Sequence, residues 1–138
     1  MITATRSALI PAVAAGALGV ALVPAGADDG EIPFDVADVY AELNDTDGDL
    51  GFHALIDGEE WRSLEIEAPN GRELLELNLK SRLRQQGLTE LFFESAEPTF
   101  DELSPEEFFA RFPEGEYEIE GTTLEGDELE SETEVTHV

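Results

Sequence analysis

The chain has 138 residues, 33 of them acidic against 7 basic, for a formal charge of −26. A surface of that sign repels phosphates and anionic lipid heads, which argues against nucleic acid and membrane-surface partners. No cysteine occurs, so disulfide scaffolds, thiol catalysis and cysteine zinc sites are excluded, and burial of apolar side chains has to supply the stability.

The N-terminal segment reads as a secretory signal, with Arg6 in a short n-region, an apolar stretch over 8–23, and Ala25-Gly26-Ala27 as a small-x-small cleavage site. Pro11, Pro24 and several glycines interrupt the run, which favours a cleaved segment over a retained membrane anchor. Residues 1–27 are therefore expected to be removed, 28–33 to form an acidic flexible leader, and 34–138 to form a single domain. Cleavage implies a secreted, periplasmic or cell-surface protein with no membrane insertion afterwards. Screening by salt relieves the self-repulsion of so many like charges, so a saline, halophilic setting is the economical inference.

In chain order, 34–43 fits helical spacing through Val36, Val39, Tyr40 and Leu43, yet Val39, Ala41 and Leu43 also alternate, and the neighbouring strands favour a strand. The Asn, Asp and Gly residues of 44–49 form a turn, 52–56 is a second strand, and Asp57-Gly58 is a second turn. Residues 60–83 predict a hairpin about Pro69-Asn70-Gly71. A two-residue turn sets Ile66 opposite Leu75 and Leu64 opposite Leu77, whereas Pro69 favours a three-residue loop with a bulge at Gly71 that shifts those partners by one. The hydrophobic match decides for the first pairing. A helix over 72–86, capped by Asn70 and Glu73, is the competing reading.

The run 88–94, with Leu91, Phe92 and Phe93, is expected in the core. A complete helix start follows: Ser104 as N-cap, Pro105 at the first helical position, Glu107 closing a capping box, and Leu103 stapling onto Phe108. Pro113 ends that helix. From 115 to 138, Tyr117, Ile119, Leu129, Thr133 and Val135 alternate with glutamates, the period of strands with one wet face. With a loop at Glu125, Gly126 and Asp127, Tyr117 is expected opposite Val135, Ile119 opposite Thr133, Glu118 opposite Glu134 and Glu120 opposite Glu132. This strand reaches the last residue, so a further domain is expected to follow.

Candidate chemistry is sparse. Asp45, Asp47 and Asp49 alternate as in a calcium loop, but Leu50 and Ile56 stand where an EF-hand requires Gly and Glu, so a plain turn is the stronger reading and calcium is the one cofactor the pattern suggests. Asn44-Asp45-Thr46 is a glycosylation sequon of low specificity. The only histidines are His53, inside a predicted strand, and His137, and no catalytic or phosphate-loop motif accompanies them. Paired carboxylates could serve glycoside hydrolysis, yet a chain this acidic brings some pair together in any fold. Trp61 with Tyr40 or Tyr117 could form a sugar platform, although a lone tryptophan is more often a core anchor. Lys80, Arg82 and Arg84 share one strand parity and are expected to answer glutamates across the sheet.

Phe112-Pro113-Glu114-Gly115-Glu116-Tyr117 resembles the Pro-Gly-Tyr corner of fibronectin type III and immunoglobulin-like sandwiches, with Glu114 inserted between Pro113 and Gly115. The resemblance implies that the Tyr117 hydroxyl ties back to upstream backbone. Together with 88–95, this region also resembles an uncharacterised secreted bacterial protein family, which implies no known activity. The expectation is a mostly β chain: an antiparallel β-sandwich of about seven strands, immunoglobulin or fibronectin III-like, with one short helix before the C-terminal hairpin. The function expected is an exported, non-enzymatic structural or protein-interaction module with an unidentified extracellular partner. A calcium-stabilised adhesion or carbohydrate-binding domain and a small carbohydrate-active hydrolase are the alternatives.

Overall fold

A computed structural model describes residues 30–137. The expected signal peptide at 1–27 lies outside the described residues. Six strands and two short helices follow in the order β1 (Val36–Asn44), β2 (Asp49–Glu67), β3 (Glu73–Asn78), α1 (Ser81–Gln86), β4 (Leu88–Glu94), α2 (Pro105–Arg111), β5 (Gly115–Thr123) and β6 (Glu128–Val135). All six strands join one antiparallel sheet curled into a half-barrel.

β2 organises that sheet. Its first half pairs with β1 and β4, so that His53 faces both Tyr40 and Glu94. Its second half pairs with β3 and β5, so that Glu65 faces both Glu76 and Glu120. The turn expected at Asp57-Gly58 does not form. Asp57 is held by Val36 on one edge and Glu90 on the other, and the ring of Phe34 lies close over Gly58. Ladder pairing on both edges thus overrides the local preference of an Asp-Gly pair, and two expected strands become one of 19 residues. That fusion is why a single six-stranded sheet stands where a seven-strand, two-sheet sandwich was expected.

Even-numbered Leu50, Phe52, Ala54 and Ile56 of β2 point inward, as do Leu64 and Ile66 beyond its middle. Between them the register slips against β4 and again against β5, and these irregularities turn Trp61 into the same core, where it is wholly buried. Val39, Phe108, Tyr117, Ile119, Leu129 and Val135 close over it. Near the N-terminus Ile32 bridges in parallel to Leu129, and the Phe34 N–H donates to Ser131 Oγ at 3.0 Å, so the end of the expected leader is tied to β6.

The β2–β3 hairpin reconciles its two expected geometries. Gly71 has φ 75° and its N–H donates to the Ala68 carbonyl at 2.9 Å, which makes the loop the three-residue kind favoured by Pro69. An extra residue at Leu74 then restores Ile66 opposite Leu75 and Leu64 opposite Leu77. The strand stops at Asn78. Residues 81–86 form α1, so the competing helix is realised only at its C-terminal end, and Lys80, Arg82 and Arg84 stand exposed beside or on a helix instead of facing glutamates across a sheet.

In the β5–β6 hairpin the parity is as expected but the register is not. Tyr117 faces Thr133, Ile119 faces Ser131, and Gly115 takes Val135. Gly126, at φ 100°, is the reason. It supplies the left-handed third position of a loop spanning 124–126, one residue earlier than expected, with its N–H donating to the Thr123 carbonyl. The Asp127 N–H donates to Thr123 Oγ1 at 3.0 Å and locks that choice.

α2 begins as expected. The Ser104 hydroxyl accepts from the Glu107 N–H at 3.3 Å, the Glu107 carboxylate accepts from the Ser104 N–H at 3.1 Å, and Leu103 and Phe108 are both buried. Phe92, by contrast, is exposed on β4 although that run was expected in the core. The Tyr117 hydroxyl donates to the Pro113 carbonyl at 2.8 Å, so the corner contact forms in a half-barrel.

Burial pushes that hydroxyl up to about 12 from an ordinary value of 10.0. The folded state therefore keeps a proton that the unfolded chain releases, and stability falls as pH rises from 10 towards 12. Tyr117→Phe should cost about 1–2 kcal/mol at neutral pH, because it leaves the Pro113 carbonyl without its donor, and should lose this alkaline component. Denaturant unfolding followed by Trp61 emission measures both; a variant as stable as the parent would refute the corner's role.

Candidate functional site

β2 presents two different outward faces. In its second half Glu65 and Glu67 point outward, and their strand partners are glutamates on both sides. One row runs Glu76, Glu65, Glu120, Glu130 across β3, β2, β5 and β6, and the next runs Glu73, Glu67, Glu118, Glu132. The extra residue at Leu74 brings Glu73 into line with the second row. Glu116 and Glu134 extend the face. No basic side chain within ion-pair distance answers these carboxylates among the described residues.

Repulsion is visible in their acidity. Glu120 is raised above the ordinary carboxylate value by burial and then by Glu128, Glu118, Glu65 and Glu67. Glu130 is raised chiefly by Glu31, and Glu132 chiefly by Glu116.

In the first half of β2 the outward face is covered. Asp49, Gly51 and His53 are buried, with the Glu97 side chain over Gly51 and the Tyr40 ring on His53, and the segment after β4 runs on along the edge of β2. The Ser95 N–H donates to the Phe52 carbonyl at 2.9 Å, Ser95 Oγ accepts from the Phe52 N–H at 2.9 Å, and the Phe100 N–H donates to the Gly48 carbonyl at 2.9 Å. These bonds lay Glu97 across β2, where its Oε1 stands 3.6 Å from His53 Nε2. Tyr40 stacks on the imidazole, centroids 5.1 Å apart and planes 5° off parallel. His53, Glu94 and Glu97 can thereby bring one ligand atom each within 4.8 Å of one another.

Asp45 and Asp47 are exposed on the β1–β2 turn, where the Asn44 side-chain amide donates to Asp47 Oδ2 at 2.8 Å. Asp49 is buried at the turn's base, and its Oδ1 has no hydrogen-bond partner among the described residues. None of the three aspartates belongs to a ligand-competent grouping; those found among the described residues are His53 with Glu94 and Glu97, and Glu120 with Glu128 and Glu130. Asn70 and Gly71 shape the β2–β3 loop, with Asn70 Oδ1 accepting from the Arg72 N–H at 3.1 Å. Trp61 and Tyr117 are wholly buried and offer no face to a sugar. His137 stacks on Phe109 at 4.0 Å and fastens the chain beside α2.

Sequence reasoning passed over Glu94 and Glu97 because they lie more than 40 positions from His53 and carry no local motif. One signal was present: Gly51 occupies an outward position between Leu50 and Phe52, and a small residue there marks a close approach. Comparison of the chain with protein-family models, with curated proteins and with solved structures finds no match.

The raised carboxylates set a pH dependence. Their folded values exceed the unfolded ones, so the stability present near pH 4.5 is lost as pH rises through the raised values. Glu107, lowered mainly by the Ser104 backbone hydrogen bond, works in the opposite direction as pH falls below 4.5. In dilute buffer the melting temperature should decline between pH 4.5 and neutrality, and added sodium chloride should flatten the decline. A melting temperature that climbs over this range at low salt would contradict the reading.

Proposed function

We propose that this chain is an exported, non-enzymatic structural or interaction module that presents a hydrated anionic sheet face in saline surroundings. The observation that carries the reading is the pair of glutamate rows crossing four strands. Strand geometry sets these carboxylates side by side on one sheet face, whereas a glycosidase holds two that flank a single bond. A flat array of hydrated carboxylates holds water against competing salt and keeps the sheet face from adhering to its neighbours. The Pro113–Tyr117 corner adds support for a relation to the fibronectin-like modules of secreted proteins. The partner is an extracellular one that tolerates or complements strong negative charge.

The test neutralises the face without touching the core. A variant carrying Glu73→Gln, Glu76→Gln, Glu118→Gln and Glu132→Gln should melt at higher temperature than the parent in dilute buffer, and should lose solubility in molar potassium chloride. Unchanged solubility would remove the salt-adapted reading. Calcium compared with sodium chloride at matched ionic strength should give the same melting temperature, and hydrolysis of oligosaccharides abolished by a single Glu→Gln substitution would establish an enzyme instead.

A further inference from the structure

We propose that His53, Glu94 and Glu97 form a binding site for one divalent transition metal of the zinc class, pinning the segment after β4 to β2. The site is separate from the glutamate rows and does not rest on the function proposed for them.

The decisive observation is His53 itself. It is 4% exposed, and its Nε2 has no hydrogen-bond partner among the described residues. Glu97 Oε1 faces that nitrogen at 3.6 Å, too long for a hydrogen bond and close to the separation of two ligands on one ion. A tetrahedral zinc ion about 2.0–2.1 Å from each donor sets donors about 3.3 Å apart, so the 4.8 Å limit on this group closes with small rotations of the two glutamates. A buried imidazole nitrogen facing carboxylates, with no partner of its own, is the arrangement an ion completes.

The surroundings hold the donors in place. Stacking on Tyr40 fixes the imidazole plane, the β2–β4 ladder sets Glu94 directly opposite His53, and the paired Ser95–Phe52 hydrogen bonds anchor the backbone between Glu94 and Glu97. Gly51 is part of the device, since a β-carbon there would collide with the Glu97 side chain. One imidazole nitrogen with carboxylate oxygens suits Zn²⁺ and its first-row neighbours, whereas Ca²⁺ takes six to eight oxygens. The exposed Glu94 and half-buried Glu97 leave room for a water to complete the shell.

Titration of the full chain with Zn²⁺ in millimolar calcium, which occupies the exposed carboxylates, should show one saturable site. Co²⁺ in its place should give a visible absorption band with nitrogen and oxygen ligation. In nitrogen-detected magnetic resonance the His53 ring should shift on loading and the His137 ring should not. Glu97→Gln and Gly51→Val should each weaken binding by at least about tenfold, while Glu130→Gln and His137→Ala leave it unchanged. His53→Ala should abolish the site, and if that variant does not fold, Glu94→Gln supplies the same comparison. Binding that survives Glu97→Gln, that disappears in calcium, or that moves with Glu130→Gln overturns the proposal.

Discussion

Because β2 carries ladder partners on both edges along most of its 19 residues, every other strand except β6 is positioned by pairing directly with it. A strand so constrained cannot turn where its sequence invites a turn, and Asp57-Gly58 is drawn straight through the sheet. The register slips around Trp61 let the strand bend while keeping the same parity inward on both sides. The curl of the sheet, the burial of the one tryptophan and the separation of two outward faces all follow from that stretch.

Those faces show how burial decides what a carboxylate does. Beyond Trp61 the outward glutamates meet other glutamates, and partial burial, repulsion and a Glu132–Glu116 side-chain hydrogen bond raise their pKa values. Before it, the segment after β4 continues along the edge of β2 with the Glu97 side chain over Gly51, Asp49 and His53 are buried, and a few polar atoms are removed from solvent with fewer partners than they can use. The same strand thus supports a diffuse electrostatic surface at one end and a discrete set of donors at the other.

What could be read from the sequence was what local chemistry fixes. The Ser104–Glu107 cap, the Pro69–Gly71 loop and the inward parity of Tyr117 and Ile119 depend on residues a few positions apart. Register in the last hairpin differs by two residues from the expected pairing because Gly126, and not the acidic triplet as a block, chooses the loop. The fusion of two strands into β2 and the meeting of His53 with Glu97 were not legible, since each is enforced by partners distant in the chain. Phe92 illustrates the remaining gap: an apolar run marks a strand, but which of its side chains are covered depends on what packs above.

The glutamate rows carry a length scale of their own. Neighbouring carboxylates in a row stand about 4.8 Å apart and successive rows about 6.8 Å apart. The Debye length is about 10 Å in 0.1 M salt and about 3 Å in 1 M. In dilute solution each charge therefore feels its whole neighbourhood and the face behaves as one collective anion, whereas in molar salt the same carboxylates are electrically independent. The crossover between these regimes is set by the spacing of hydrogen-bonded strands, a dimension that side-chain substitution leaves untouched.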